Sequence, residues 1–344
     1  MSLPATYEKI LITKLTPNFR EAAQVVSTQL KPPAKNEILL KVLYVGINAS
    51  DIVVSAGGWS ADGGKTPFDC GLEALGIVAG IGENVTNVHL GQTALYWSLS
   101  NRRAYSQYIN VVATDVILVP DLKPEYIGLM VSGLTAAIGL EMGAAVKAGD
   151  KVLITAAAGG CGHIAVQWAK RVLNAQVIAL CSNETKRELL QQLECCDCII
   201  NYRTQDVSAI LSQKYPDGID VIWETLGGQL FKTLANHVAP RGRLLSVGTI
   251  STYKNPHETS DVNLPRKFYS QGRKLYGFSI VRQQRHFDDY FKKLYTLFVT
   301  GQLLVITDFG ENTSDGPFES LHGIVRAVEY LHSGENIGKV IAQI

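Results

Sequence analysis

The feature that most constrains this chain is a regular alternation of apolar strand-like and helix-like segments beginning at Lys151. KVLITAA reads as a buried strand, and GGCGHIAVQWAKRV as a glycine turn that opens a helix. AQVIALC, CIINY, DVIWETL and GRLLSVG read as further strands, separated by the helical segments ETKRELLQQL, VSAILSQKY and QLFKTLANHV. KLYGFSI reads as the last strand. Parallel strands need long crossover connections, usually helical, so this alternation predicts a parallel sheet covered on both faces.

The flanks behave differently. Before residue 120, EILLKVLYV, EALGIVAGI, QTALYW, YSQYINV and DVILVP are short β-like runs broken by Gly and Pro. After the train, DDYFKKLYTLFVTG and SLHGIVRAVEYLHSG read as helices and KVIAQI as a strand. A chain of 344 residues makes about two domains. The tail is too short for a core of its own. It is expected to pack on the N-terminal unit, so that 125–282 is inserted between 1–124 and 283–344.

The strongest local signal is Ala156-Ala157-Ala158-Gly159-Gly160-Cys161-Gly162, between a predicted strand and a predicted helix. It has dinucleotide-turn spacing, with Ala157 in the first glycine slot. Gly159 would let backbone approach a pyrophosphate, and Gly162 would let helix and strand pack closely. The helix start adds amide donors and partial positive charge. A tight turn without ligand is the competing reading, and the surrounding train favours the cofactor. The fold class is therefore α/β, a Rossmann doubly wound parallel sheet inserted in a β-rich domain. NAD sites carry an acid near the tip of the second strand; here that strand ends Leu180-Cys181-Ser182-Asn183. Ser182, Lys186, Arg187, Tyr202 and Arg203 could instead hold a phosphate through charge-assisted bonds, which points to NADPH. Lys186 and Arg187 could equally be a solvated helix face.

Composition narrows the partners. Lys and Arg total 32 against 31 Asp and Glu, a net charge of +1, which argues against a nucleic-acid or anionic-membrane partner. No stretch reads as an uncharged apolar run of about 20 residues. With six Cys and no secretory pattern, the chain is expected to be intracellular, cytoplasmic by default. The clump Cys195-Cys196-x-Cys198 reads as packed thiols rather than a metal or redox site.

ITAAAGGCGHIAVQWAK, GINASD, GLEALGIV, VSGLTAAIGL, CIINY and IGKVI occur in the same order as in the quinone-oxidoreductase branch of the medium-chain dehydrogenase/reductase superfamily, which the chain resembles over nearly its whole length. The resemblance implies a GroES-like catalytic domain flanking the Rossmann domain. Zinc members carry ligands where this chain has Asn48, Leu72 and a position near Val131, so no metal is expected. Asn48 then becomes the candidate catalytic polar group, with a backbone-bonded turn residue as its alternative; Asp51 is expected to order that loop. A Tyr that relatives place nearby is replaced by Ile52-Val53-Val54. Trp59, Tyr96 and Tyr276 are substitutes to consider as proton donors.

The resemblance also implies cofactor contacts from Cys161, Ser182, Lys186, Tyr202, Thr225, Val247, Gly248, Tyr253 and Asn336. It implies a homodimer joined through KLYGFSI, and a peroxisomal or mitochondrial location as an alternative to the cytoplasm. Without a Lewis acid, alcohol oxidation is disfavoured, whereas hydride addition to a conjugated enone or quinone needs only donors near the developing oxyanion. Similarity to prostaglandin reductases implies 15-oxo-prostaglandin Δ13-reduction. A broad quinone or alkenal reductase and a non-catalytic NADPH-binding protein are the alternatives.

Overall fold

The structure, a computed structural model, describes residues 3–58, 64–253 and 264–344. The chain forms two compact units, residues 1–130 with 307–344, and residues 131–306.

The second unit holds a six-stranded sheet in the order Cys198–Asn201, Gln176–Cys181, Lys151–Ile154, Ile219–Glu224, Val238–Ser246, Lys274–Gly277. Every neighbouring pair is parallel. Numbered along the chain, this is the order 3-2-1-4-5-6 of dinucleotide-binding sheets, with its reversal between the first and fourth strands. The strands are apolar because both faces are covered: successive residues, which point to opposite faces, are fully buried at Val152 and Leu153, Val177 and Ile178, and Val221 and Ile222. Lys274–Gly277 at the edge is exposed along its length.

In the first unit, Glu37–Gly46 is the central strand. It pairs antiparallel with Glu73–Ile81, Tyr108–Val112 and Lys339–Gln343. The C-terminal strand thus belongs to the N-terminal sheet, as the short tail required. A hairpin of Thr6–Ile12 with Ala23–Gln29 was not read from the sequence, although TYEKILI alternates as a half-buried strand should.

Two readings change. The sequence placed the boundaries at 124/125 and 282/283, whereas the compact unit runs from Val131 to Ile306, the second boundary moving the further. Side-chain bonds explain why. Gln167 Nε2 donates to Leu304 O (2.8 Å) and Arg171 Nη1 to Gln302 O (2.7 Å), tying residues 302–304 to the helix after the glycine turn. Trp168 also packs on Tyr290 of the helix Phe287–Val299. The expectation of no span-like run also needs correction: Glu125–Gly143 is a 19-residue helical run apolar enough to cross a membrane. Its most apolar window is 72% buried in the protein, as in a core helix.

Candidate active site

The strand ends assemble the predicted cofactor residues of the second unit along one edge of its sheet. After Lys151–Ile154 the chain turns through Ala156, whose φ of 47° is left-handed, and Ala157 N–H donates to Leu180 O of the next strand (3.0 Å). A side chain at Gly162 would strike Ala156 O and approach Ala157 Cα at 2.7 Å, so helix and turn meet only over glycine. A Cβ at Gly159 would meet only Ala156 O, at 3.2 Å. The Cys161 thiol donates to Ser132 O (3.3 Å), which directs it into its own unit.

Ser182 follows the second strand and is buried. Asn183 caps the helix Glu184–Gln192, its Oδ1 accepting from Lys186 N–H (2.9 Å). The Lys186 side chain is buried in this first helical turn. A cation there opposes the helix dipole, and an anion bound beside it would offset that cost. Tyr202 follows the third strand, half-buried, its N–H donating to Cys181 O (3.0 Å). Thr225 follows the fourth strand at the topological switch, with Oγ1 3.1 Å from Thr155 Oγ1. Val247 and Gly248 follow the fifth; a Cβ at Gly248 would lie 3.0 Å from the Tyr253 hydroxyl.

Two buried groups brace this edge, and neither was foreseen. The Glu224 carboxylate, fully buried, accepts from Leu226 N–H (2.8 Å) and Gly227 N–H (3.0 and 3.1 Å). Burial pushes its pKa up to about 7 despite those bonds. His163 is also fully buried. Ile306 N–H lies 3.1 Å from its Nε2 and must donate, so Nε2 is unprotonated and the Nδ1 proton goes to Gly159 O (2.9 Å). The imidazole therefore pins the glycine turn to the chain leaving the unit. An acid inside DVIWETL and a histidine inside an apolar helix face were the available signals, since buried polar groups require partners.

In the first unit, Asn48, Asp51, Glu73, Tyr105 and Lys339 form one buried network. Three strand ends bring it together: residues after Glu37–Gly46, the first residue of Glu73–Ile81 and the first of Lys339–Gln343. Lys339 Nζ pairs with Glu73 and donates to Asn48 Oδ1 (2.8 Å) and Ile47 O (3.0 Å). Asn48 Nδ2 donates to Glu73 Oε1 (3.0 Å) and lies 3.4 Å from Gly46 O. Asp51 accepts from Asn48 N–H (2.8 Å) and the Tyr105 hydroxyl (2.6 Å). Burial raises the Asp51 pKa to about 6. Asn48 is thus 8% exposed, with both amide atoms engaged inside the protein. Asn336 is buried on its own turn, donating to Gly338 O (3.1 Å). The Tyr96 hydroxyl donates to Asn101 O inside the core, Tyr276 stands on the exposed edge strand, and Trp59 lies outside the described residues.

The zinc positions do not fit a metal. Asn48, Leu72 and Val131 offer no thiolate, imidazole or carboxylate, and the Lys339 ammonium already holds the Asn48 oxygen. Among the described residues no group of three His, Cys, Asp or Glu could hold one. Burial raises the thiol pKa of Cys195, and that of Cys196 to about 12, so these two stay protonated.

Comparison with known proteins follows this division. Residues 160–296 match the family described as zinc-binding dehydrogenase, and 34–121 the alcohol dehydrogenase GroES-like domain. Prostaglandin reductase-3 of Mus musculus is 36% identical over 100% of this chain and 91% of its own length. A probable quinone oxidoreductase of Leishmania amazonensis is 35% identical over 100% of both chains. The crystal structure of Escherichia coli quinone oxidoreductase complexed with NADPH superposes with a TM-score of 0.82 at 24% identity, covering 98% of this chain and 100% of that one, a likeness of fold.

Proposed function

Because this chain belongs to the medium-chain dehydrogenase/reductase superfamily, in its quinone-oxidoreductase branch, we propose that it is an NADPH-dependent, zinc-independent reductase of conjugated C=C or quinone substrates. The observation that carries this reading is the strand-end edge of the second unit. It combines a glycine turn, a buried Lys186 in a first helical turn and a strand tip without an acid. Gly159, Gly160, Cys161 and Gly162 would cradle the pyrophosphate; Ser182, Lys186 and Tyr202 would hold the adenosine phosphate. Thr225, Val247, Gly248 and Tyr253 would line the nicotinamide half, and Asn336 is a further contact that the family resemblance adds. When bound, the nicotinamide would supply a hydride to the β-carbon of an enone. No step runs through a metal.

Within this class we favour 15-oxo-prostaglandin Δ13-reduction, supported by the full-length similarity to a prostaglandin reductase. The Δ13 bond is itself part of an enone, so the substrate matches the chemistry. The exposed edge strand Lys274–Gly277 supports pairing of two copies. Asn48, with both amide atoms engaged, serves this reading better as a positioning residue than as a donor to substrate. The test is NADPH absorbance with a 15-oxo-prostaglandin, a simple quinone and no substrate. Consumption with the prostaglandin at low concentration supports the specific reading. Consumption with quinones alone assigns the chain to broad quinone reduction. Tight NADPH binding without consumption overturns the enzyme reading.

A further inference from the structure

Glu224 is the only carboxylate within its sheet strand whose side chain reports to the strand's own following turn, and that turn carries more than itself. Leu226 and Gly227 both donate to it, and Gly227 does so from a left-handed φ of 75°. The 247–253 loop hangs from the same turn. Val247 N–H donates to Glu224 O (2.8 Å), Ile250 N–H to Thr225 O (3.1 Å) and Ser251 N–H to Leu226 O (3.0 Å). The carboxylate thus braces both loops that follow the fourth and fifth strands, on the sheet edge where such folds take their ligand.

We propose that Glu224 is a positioning residue of the cofactor site: as the carboxylate it clamps the Thr225–Gly228 turn, and thereby sets the Thr225 and Val247–Tyr253 walls to receive the nicotinamide half. This rests on the NADPH reading above. The clamp needs the charged form. Protonation at Oε2 removes one arm of the Gly227 N–H that the two oxygens share, and takes the charge-assisted strength from the Leu226 and Gly227 bonds that remain on Oε1. The group titrates near neutrality because burial opposes its charge, and the backbone donors hold its pKa down to about 7. Among the described residues, the titratable group that bears on it is the Tyr253 phenol on the facing loop, itself raised by burial and therefore neutral here. Thr155, on the neighbouring strand end, is uncharged. Cofactor binding should therefore favour the carboxylate and release a proton.

The test is fluorescence titration with NADPH from pH 6 to pH 8.5 on the wild type, Glu224→Gln and Glu224→Asp. With one proton linked at about pH 7, wild-type Kd should rise roughly tenfold from pH 8 to pH 6. The 2′-phosphate titrates at about pH 6 in every variant, so the difference between variants reads Glu224 alone. Glu224→Gln should bind roughly tenfold more weakly at pH 8 and lose the excess slope; Glu224→Asp should keep it. An unchanged slope in Glu224→Gln overturns the clamp while leaving the cofactor reading intact. A wild type that binds no NADPH at any pH overturns both. Should Glu224→Gln fail to fold, infrared spectroscopy of Asp51→Asn decides, a background without the Asp51 carboxyl, which is itself partly protonated at pH 6. A protonated carboxyl band at pH 6 that disappears on adding NADP supports the clamp, and a band that persists overturns it.

Discussion

The two polar clusters of this protein are built on opposite plans. Along the sheet edge of the second unit, backbone and glycine shape the surface, and the braces Glu224 and His163 bond to main chain. In the first unit, Asn48, Glu73 and Lys339 bond chiefly to one another and are at most 8% exposed. In the first plan no side chain crowds the turn at Gly159, where a Cβ would meet only Ala156 O. The second satisfies itself, with an ammonium where a metal enzyme would keep its cation. The difference teaches that a polar cluster in a dehydrogenase fold is not by itself a reaction centre; what matters is whether its donors are already spent.

The sharpest way to break this contrast is to remove the internal cation. Lys339→Met leaves the buried Glu73 without its cation, with Asn48 still donating to it, and should cost about 3–5 kcal/mol of unfolding free energy in urea. Adding Glu73→Gln should recover most of that loss. If Lys339→Met were neutral, the network would not be self-contained and the contrast would fail.

A second test uses pH. Asp51 has a folded pKa near 6, above its ordinary 3.8. A carboxyl raised on folding stabilises fully below its unfolded pKa, and that stability is lost as pH rises through about 6. Between pH 4 and pH 7.5 the wild type should therefore lose up to roughly 3 kcal/mol from this group relative to Asp51→Asn. Denaturant midpoints of the two proteins across that range measure it, and parallel curves would contradict the assignment.

The backbone brace gives a smaller effect. His163→Leu strands the Ile306 N–H and the Gly159 carbonyl, at a cost of about 1–3 kcal/mol. Cofactor affinity should fall with it, because the lost bonds hold the turn itself. His163→Gln keeps one donor and one acceptor on the side chain, and should restore part of the affinity. Stability lost with NADPH affinity unchanged would show that the brace serves folding alone.

How far these clusters could be read in advance follows the same line. The parallel sheet was legible because strand and helix periods are local, and the glycine turn because close backbone approach admits few residues: at Gly162 any side chain meets Ala156. The Lys339–Glu73–Asn48 network was not legible. Its members are 25 and 291 residues apart, and only the tertiary pairing of Lys339–Gln343 with Glu37–Gly46 brings them together. Asn48 could be singled out by its type, but whether its amide was spent depended on those distant partners. Glu224 and His163 fall between these cases. Each is a polar residue in an apolar segment, which signals that a partner exists without naming it.

The finest test concerns Lys186, where the two plans meet in one residue: a buried cation, like Lys339, yet placed on the ligand edge. Its helix is capped by Asn183, so the first turn does not need a lysine for its own sake, and the dipole works against one. On the NADPH reading, its role on this edge is to meet an anion from outside the chain. Lys186→Gln should raise the Kd for NADPH roughly tenfold, the worth of one charge-assisted bond of about 1.5 kcal/mol, and leave the Kd for NADH unchanged. Fluorescence titrations with the two nucleotides measure the ratio directly. A loss shared equally by both would mean that Lys186 shapes the edge as Lys339 shapes its network. The 2′-phosphate would then fall to Arg187 or Arg203, whose own variants would carry the selectivity.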